Sequence, residues 1–249
     1  MALLQPCFGS CVADIGFKVV LGAKAFTMTF SHRFVVVTAL FVTCLITSNI
    51  IIAKQISIGI VVLPAAVIIF PLSYIIGDVL TEVYGYRQAR RVIWLGFLCK
   101  LIAVLALWIG KILPPAPVFE AQNAYERILG STPRFLLASF AAYLAGEFTN
   151  SVVLAKMKIM TKGRWLWTRT IGSTLVGQGV DTVVVLAIAF VGVLPFSVLG
   201  VMMFFHWLIK CVYEAAATPL TYVVVGYLKR KEGIDVYDYG VDFNPLRVI

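Results

Sequence analysis

Residues 70–91 of this chain read FPLSYIIGDVLTEVYGYRQARR. Within this stretch an apolar run gives way to two carboxylates, Asp78 and Glu82, and then to three arginines. The carboxylates are four residues apart, so a helix would place them on one face. Arginines that directly follow an apolar run mark the cytoplasmic side of a membrane span. The stretch therefore predicts the inner end of a membrane-spanning helix.

The composition predicts an integral membrane protein. Of the 249 residues, 61% are apolar and 13% are charged, and the mean hydropathy is +0.95. Soluble proteins carry about 25% charged residues, so this chain has too little polar surface for a soluble domain. The net charge of +9 fits positive residues beside apolar spans. No basic block with interleaved aromatic residues stands apart from them, so we predict no nucleic-acid partner.

Neither a metal nor a cofactor is predicted. The five cysteines are scattered, and Cys7 and Cys11 lack a second pair of ligands that would complete a tetrahedral zinc site. The sequence contains no glycine-rich phosphate loop, so we do not expect the chain itself to hydrolyse ATP. Residues 1–33 lack a long apolar core followed by a cleavage site, and we predict a mobile cytoplasmic extension there.

Six apolar windows are long enough to cross a bilayer, which takes about 20 residues per helix. They are residues 34–53, 58–77, 92–110, 135–155, 170–194 and 196–228. We therefore predict an all-α integral membrane protein with six transmembrane helices. Its parts would be the extension at 1–33, a membrane domain at 34–228 and a cytoplasmic tail at 229–249.

The distribution of lysine and arginine predicts the orientation. When Lys100 and Lys210, which lie inside windows, are set aside, fifteen of these residues fall on one side of the predicted membrane and four on the other. Both termini are therefore predicted to be cytoplasmic. The segments outside the windows are too short to form a soluble domain, so we expect the protein to act within or across the bilayer.

Polar residues recur at helical spacing inside the last three windows. They are Tyr143, Glu147 and Asn150; Thr174, Gln178 and Asp181; and His206, Lys210, Tyr213 and Glu214. An ionisable side chain near mid-bilayer costs about 2.5–3.5 kcal/mol, whereas an interhelical polar bond contributes about 0.6 kcal/mol on average. Internal ion pairs, such as Lys210 with Asp181 or Glu214, are one explanation. A solute pathway explains the whole set better.

The chain resembles the queuosine precursor transporters, a bacterial group also described as vitamin uptake transporters. The resemblance rests on four blocks in the same order: the opening stretch; GRWLWTRTIGST at 163–174 with Gln178 and Asp181; Lys210, Tyr213, Glu214 and Pro219; and Asp242–Pro245. It spans residues 35–246. The resemblance implies import of 7-cyano-7-deazaguanine or 7-aminomethyl-7-deazaguanine across the bacterial cytoplasmic (inner) membrane.

Such a substrate suits the polar residues of the windows. One carboxylate can accept two N–H groups from a guanine-like edge, and a donor can serve the carbonyl oxygen. The acceptor candidates are Glu147, Asp181 and Glu214; the donor candidates are Asn150, Gln178 and Lys210; and the stacking candidates are Tyr143, Tyr213 and Phe70. A gate at the cytoplasmic end is predicted to involve Asp78, Glu82, Arg87, Arg90, Arg91 and Arg169.

Two alternatives stay open. The six spans are also similar to the substrate-binding subunits of energy-coupling-factor transporters, which dock a separate energising module through small residues such as Ala39, Thr43 and Thr47 on the first span. We favour a self-sufficient carrier. An intramembrane aspartyl protease would have to pair Asp78 with Asp181, but the glycines before Asp181 are one residue out of step with a Gly-x-Gly-Asp pattern, so an enzyme is not predicted.

Overall fold

Long helices dominate the structure, as the sequence predicts. The computed structural model describes residues 31–58, 61–130 and 132–247, so most of the predicted extension lies outside the described residues. The helices in these ranges are α1 (His32–Ile51), α2 (Phe70–Tyr84), α3 (Tyr86–Ile112), α4 (Gln122–Leu129), α5 (Pro133–Met160), α6 (Leu166–Phe190) and α7 (Phe196–Glu232). Six segments in these ranges are long and apolar enough to cross a membrane, and one of them, Gln122–Met160, takes in both α4 and α5. This confirms the all-α, six-span fold class.

The six long helices alternate in direction, so the bundle has two ends. At the end that we name the charged end, Ser31 before α1 donates a hydrogen bond of 2.6 Å to Glu232 in the last turn of α7, and Gly85 joins α2 to α3. At the opposite end, which we name the hairpin end, strand β1 (Gln55–Ile58) pairs antiparallel with strand β2 (Val61–Pro64). The loops of the bundle thus lie at these two opposite ends.

The second predicted window, residues 58–77, was wrong in its position. Its first part forms the hairpin and a 3₁₀ helix (Ala65–Ile68), and α2 begins only at Phe70. Proline explains the difference, because Pro64 has no N–H to donate within a helix, whereas Pro71 stands in the first turn of α2, where that N–H is not needed. Apolar composition therefore identified the span but not its first residue.

The later start of α2 carries its acidic residues into the bundle. Asp78 and Glu82 are both 0% exposed and lie within the helix, which ends at Tyr84. Gly85 then turns the chain with a φ of +81°, a conformation that favours glycine. The Cβ of any other residue at this position would also lie 2.7 Å from Cγ1 of Val236. The acidic face of α2 is therefore interior.

Helices α5 and α6 approach each other through two glycines. A Cβ at Gly146 would lie 2.7 Å from the Cβ of Asp181, and one at Gly177 would lie 2.6 Å from the Cβ of Asn150. Small residues allow such close approach of helices in a membrane, where packing drives association. The contact brings the polar residues of the two helices together inside the bundle.

The surface of the bundle is apolar and its interior is polar. Large apolar side chains are exposed along α1, α3 and α7, among them Leu40, Leu98, Ile102 and Val212. Polar and charged side chains are buried between the helices. This arrangement suits a protein surrounded by hydrocarbon, in which polar groups find partners only inside the protein or in water-filled space.

The segment at 233–247, after α7, packs along the first turns of α3. The carboxylate of Asp238 accepts the backbone N–H of Tyr86, the first residue of α3, at 3.0 and 3.1 Å. An acceptor here satisfies an N–H that has no partner within the helix, and its charge suits the helix dipole. The indole of Trp94 donates to the carbonyl of Pro245 at 2.9 Å. Part of the predicted tail is thus an ordered component of the charged end.

Candidate functional site

A cavity lies between the hairpin end and the middle of the bundle. Its volume is about 110 Å³, and residues of β2 and of six helices line it. Since about 10–15 Å³ of such space holds one water molecule, the cavity has room for a small organic solute. The polar side chains in its wall are Ser48, Asn49, Lys100, Ser139, Tyr143, Asp181, His206 and Lys210.

An ion pair occupies one side of the cavity wall. The ammonium of Lys210 is 2.5 Å from Oδ2 of Asp181, and both side chains are nearly buried. The same ammonium lies 4.8 Å from the centre of the Phe70 ring, a distance suited to a cation–π contact. A carboxylate, an ammonium and an aromatic face therefore meet in one small region of the wall.

A second cation of the wall is held without a carboxylate. Lys100 donates to the hydroxyl of Ser139 at 2.8 Å, and its ammonium lies 5.0 and 5.4 Å from the ring centres of Phe140 and Tyr143. The two aromatic faces and the hydroxyl replace part of the water that a lysine side chain would otherwise bind. The wall thus carries two positive charges and one paired negative charge.

Two of the seven side chains predicted to bind a solute, Asp181 and Lys210, line the cavity. Tyr213 does not; its hydroxyl donates to the carbonyl of Ile68 at 3.3 Å. The other four do not line it either, and each is at most 1% exposed: Glu147, Asn150, Gln178 and Glu214. Of the aromatic residues predicted to stack, Phe70 and Tyr143 line the cavity.

Three buried carboxylates on different helices form a group that we name the carboxylate layer: Asp78 on α2, Glu147 on α5 and Glu214 on α7. The amide of Asn150 donates to Oδ1 of Asp78 at 2.6 Å. The other oxygen of Asp78, and both oxygens of Glu147 and Glu214, have no hydrogen-bond partner in the described part of the chain. Glu214 is one turn beyond Lys210 towards the charged end, so the layer lies past the cavity wall.

An ion cluster at the charged end, which we name the Glu82 cluster, joins four helices. Oε1 of Glu82 lies 2.8 Å from Arg169 and 2.7 Å from Lys229, and the ammonium of Lys158 is 3.6 Å away. Glu82 and Arg169, two of the predicted gate residues, thus meet. The cluster draws α2, α5, α6 and α7 together and closes the bundle at this end.

Asp235 covers the Glu82 cluster from the segment after α7. Its carboxylate lies 2.6 Å from the ammonium of Lys158 and 2.8 Å from that of Lys229. Burial alone would raise the pKa of Asp235, but the hydrogen bonds from both lysines outweigh burial and hold this pKa below its usual value. Asp235 is therefore ionised at neutral pH, and it balances part of the positive charge around Glu82.

The remaining arginines predicted for the gate lie outside the Glu82 cluster. Arg90 donates to the carbonyls of Asp242 and Asn244, at 3.1 and 2.7 Å, and Arg91 bonds within its own helix. Arg87 is exposed. In this conformation the first turns of α3 hold the C-terminal segment. The aspartate pair that an intramembrane protease would require is not among the described hydrogen bonds, since Asp78 bonds to Asn150 and Asp181 bonds to Lys210.

Sequence reasoning missed two members of the Glu82 cluster. It counts Lys158 and Lys229 only as positive charges beside spans, where most lysines extend to water. One signal could have identified Lys158: it continues the face of α5 that contains Ser151, Leu154 and Ala155, all of which are buried. No comparable pattern marks Lys229, because its position in the cluster depends on how α7 crosses α2.

Comparisons with known proteins agree with this architecture. The model of a protein family described as "Putative vitamin uptake transporter" matches residues 64–224. A Bacillus subtilis protein named "Probable queuosine precursor transporter" is 34% identical over 146 residues, which are 58% of this chain and 64% of the relative. A Haemophilus influenzae protein of the same name is 25% identical over 121 residues, 49% of each chain. Each match covers less than two thirds of the relative. No solved structure matches.

Proposed function

Since this chain belongs to the family described as "Putative vitamin uptake transporter", we propose that it is a carrier that imports a queuosine precursor. The substrates proposed are 7-cyano-7-deazaguanine and 7-aminomethyl-7-deazaguanine. The names of the two relatives support this substrate class. The observation that carries the proposal is the cavity in the membrane-spanning bundle, with Asp181 and Lys210 in its wall.

The groups in the cavity wall suit a deazaguanine. The carboxylate of Asp181 accepts the adjacent N–H and amino groups of the guanine-like edge, while the ammonium of Lys210 donates to the ring carbonyl. The flat ring stacks on Phe70 or Tyr143, both of which line the cavity. The substrate would then enter between Asp181 and Lys210. Each of the two charged groups therefore has a hydrogen-bond partner both with and without substrate.

The orientation proposed places the charged end and both termini in the cytoplasm, with the protein in the bacterial inner membrane. The excess of lysine and arginine on that side supports it. In this orientation the cavity lies on the external side of the Glu82 cluster. The cluster acts as the inner gate, and breaking the contacts of Glu82 with Arg169 and Lys229 would open the route to the cytoplasm.

An energising partner module is the main alternative to a self-sufficient carrier. Ala39 and Thr43 on α1 are exposed and would be accessible to such a module. Small exposed residues on a spanning helix also suit lipid or a second copy of the chain, so they do not favour the module. We propose that the chain transports without one, which the following experiment tests directly.

The test is uptake of radiolabelled 7-cyano-7-deazaguanine into proteoliposomes that contain only this chain. We expect saturable uptake that unlabelled 7-aminomethyl-7-deazaguanine reduces and adenine does not. Tight binding without uptake would show that a partner module is required. Absence of both binding and uptake for the two deazaguanines would refute the substrate assignment.

Asp181→Asn tests the proposed recognition of the substrate. Hydrogen bonds to a charged group contribute about 1.5–3 kcal/mol, so we expect the apparent affinity for the deazaguanine to fall about 10- to 100-fold. Asp242→Asn, which changes an exposed carboxylate at the charged end, is the matched control and should retain wild-type affinity. Equal affinities of the two variants would remove Asp181 from the binding site.

A further inference from the structure

In the described part of the chain, no lysine or arginine forms an ion pair with a member of the carboxylate layer, and five of its six oxygens lack a hydrogen-bond partner. Two lysines lie within the bundle between the Glu82 cluster and the hairpin end in the described ranges, and both are engaged elsewhere: Lys100 with Ser139 and Lys210 with Asp181. An unpaired ionised carboxylate away from water is costly. The layer therefore requires some other source of positive charge.

The carboxylates of the layer are buried, so solvent cannot meet this requirement. Asp78 and Glu147 are 0% exposed and Glu214 is 1% exposed. Oε2 of Glu147 lies 3.1 Å from where a Cβ would stand at Gly77, the residue before Asp78. The charge of Glu214 acts on both Asp78 and Glu147. Like charges this close destabilise one another. All three cannot be ionised together without a counter-charge.

Tyr74 provides a second, independent observation. It is 0% exposed, and its hydroxyl has no hydrogen-bond partner in the described part of the chain. This hydroxyl fills the space beside Gly146, 2.6 Å from where a Cβ would stand. The same Cβ would lie 2.7 Å from the Cβ of Asp181, so the hydroxyl lies at the contact of α5 with α6, beside the residue that precedes Glu147. A hydroxyl both donates and accepts, and can link two carboxylates through a shared proton.

The ligand that fits this arrangement is a proton and not a metal ion. Within the described ranges, no three His, Cys, Asp or Glu side chains converge as metal ligands. A proton needs a single carboxylate oxygen and imposes no coordination geometry. It also removes the charge altogether, which is what an apolar environment favours.

We propose that the carboxylate layer binds protons and couples their inward movement to uptake of the precursor, with Glu147 as the main proton-binding residue. This inference rests on the proposed function. A proton from the external side adds to a carboxylate oxygen and gives a neutral carboxylic acid. When the Glu82 cluster opens, the acid loses this proton to cytoplasmic water, and the carboxylate is restored.

The neighbours of the layer define a route for the proton. Asp181 lines the cavity and packs beside Gly146, the residue before Glu147, so it is the external donor side, whereas Glu82 lies one turn after Asp78 on α2, at the inner gate. Helix α1 contains no Asp, Glu or Lys. The titratable groups on the other helices around the layer are Tyr74 and Glu82 on α2, Cys99 and Lys100 on α3, Tyr143 on α5, Asp181 on α6, and His206, Lys210 and Cys211 on α7.

The first measurement is accumulation of labelled 7-cyano-7-deazaguanine by wild-type proteoliposomes, with the outside one pH unit more acidic. If one proton enters with each neutral substrate and the membrane potential is held at zero, the inside concentration should rise to about tenfold that outside, because 1.4 kcal/mol corresponds to a factor of ten. Replacing sodium by choline should change nothing. Accumulation that follows sodium instead of pH would overturn the proposal.

Glu147→Gln tests the residue assignment, because glutamine resembles the protonated acid but cannot release a proton. We expect this variant to equilibrate the substrate without accumulating it, so that the ratio falls from about tenfold to about onefold. Glu120→Gln, at an exposed position before α4, is the control and should accumulate as the wild type does. Unchanged, pH-driven accumulation by Glu147→Gln would contradict the role of Glu147.

Infrared spectroscopy of the purified wild-type protein tests proton binding without any transport assay. We expect a C=O band of protonated carboxylic acids at neutral pH that weakens in Glu147→Gln and persists in Glu120→Gln. Absence of the band from the wild type would overturn the proposal, even if Glu147→Gln fails to fold. If the band is present but the wild type neither binds nor exchanges deazaguanines, the proposed substrate fails while the proton site stands.

Discussion

At the scale of single residues, the pairing of Lys210 with Asp181 decides whether the cavity can exist in a folded protein. The two charges are 2.5 Å apart and nearly buried. Removing one member of a buried pair leaves the other without a partner, which is far more costly than removing both. The pair is therefore as important for stability as for binding.

Lys210→Met should lower the free energy of unfolding by about 3–5 kcal/mol, because it leaves the Asp181 carboxylate buried and unpaired. The double variant Asp181→Asn, Lys210→Met should recover most of this loss. Equilibrium unfolding in detergent measures both variants. If the double variant is no more stable than Lys210→Met, the charge of Asp181 is not what destabilises the single variant.

The sequence predicts the ionisable groups in the middle of the spanning helices better than those at the ends of these helices. Asp181 and Lys210 are identifiable because a charge inside an apolar window is costly and therefore needs a reason. Lys158 and Lys229 are not, since lysines at helix ends usually extend to water. Whether such a lysine turns inward towards Glu82 depends on the crossing of helices, which hydropathy does not contain.

At the scale of helices, the close approach of α5 and α6 sets the width of the polar interior. Gly146 and Gly177 remove the side chains that would hold the two helices apart. The approach places Asp181 and Asn150 against the neighbouring helix. A larger residue at either glycine would therefore widen the bundle and displace these polar groups.

Gly146→Ala should lower the free energy of unfolding by about 1–3 kcal/mol, the usual cost of overpacking. The added Cβ would lie 2.6 Å from the Tyr74 hydroxyl and 2.7 Å from the Cβ of Asp181. Gly200→Ala in α7 is the control, because nothing lies within 4 Å of its added Cβ, and alanine favours a helix by about 0.5–1 kcal/mol over glycine. The two substitutions should thus have opposite signs in thermal unfolding. A stabilising Gly146→Ala would show that the contact is loose.

The start of α2 is the helix boundary that hydropathy predicts least well. An apolar window measures how much chain can enter hydrocarbon, but it does not distinguish a helix from a strand. Residues 58–64 are apolar and satisfy the window, yet Pro64 prevents a helix from continuing across them. The proline positions were the available signal for this boundary.

At the scale of the whole molecule, three polar regions follow one another from the hairpin end of the bundle to its charged end. The cavity lies towards the hairpin end, the carboxylate layer lies past its wall, and the Glu82 cluster closes the charged end. Such an arrangement has one open and one closed side. Opening of the closed side requires Glu82 to release three cations from different helices.

Glu82→Gln should open the charged end, because Arg169 then loses its carboxylate partner and repels Lys158 and Lys229, whose remaining carboxylate partner is Asp235. Ser151→Cys, 1% exposed and hydrogen-bonded by Thr81, reports this opening in a background that lacks the native cysteines. We expect its reaction with a membrane-impermeant thiol reagent from the charged end to become about tenfold faster, a shift of about 1.4 kcal/mol in the opening equilibrium. Glu120→Gln should leave the rate unchanged. Equal rates with and without Glu82 would mean that the cluster does not control access.

The segment at 233–247 also bears on how the molecule is made. It follows all six spanning segments of the described ranges, so the ribosome produces it well after α3. Until then the first turn of α3 lacks the Asp238 carboxylate, and Arg90 and Trp94 lack the carbonyls to which they donate. The charged end of the bundle is thus assembled last, and a nascent chain that has all six spans in the bilayer is still an unfinished protein.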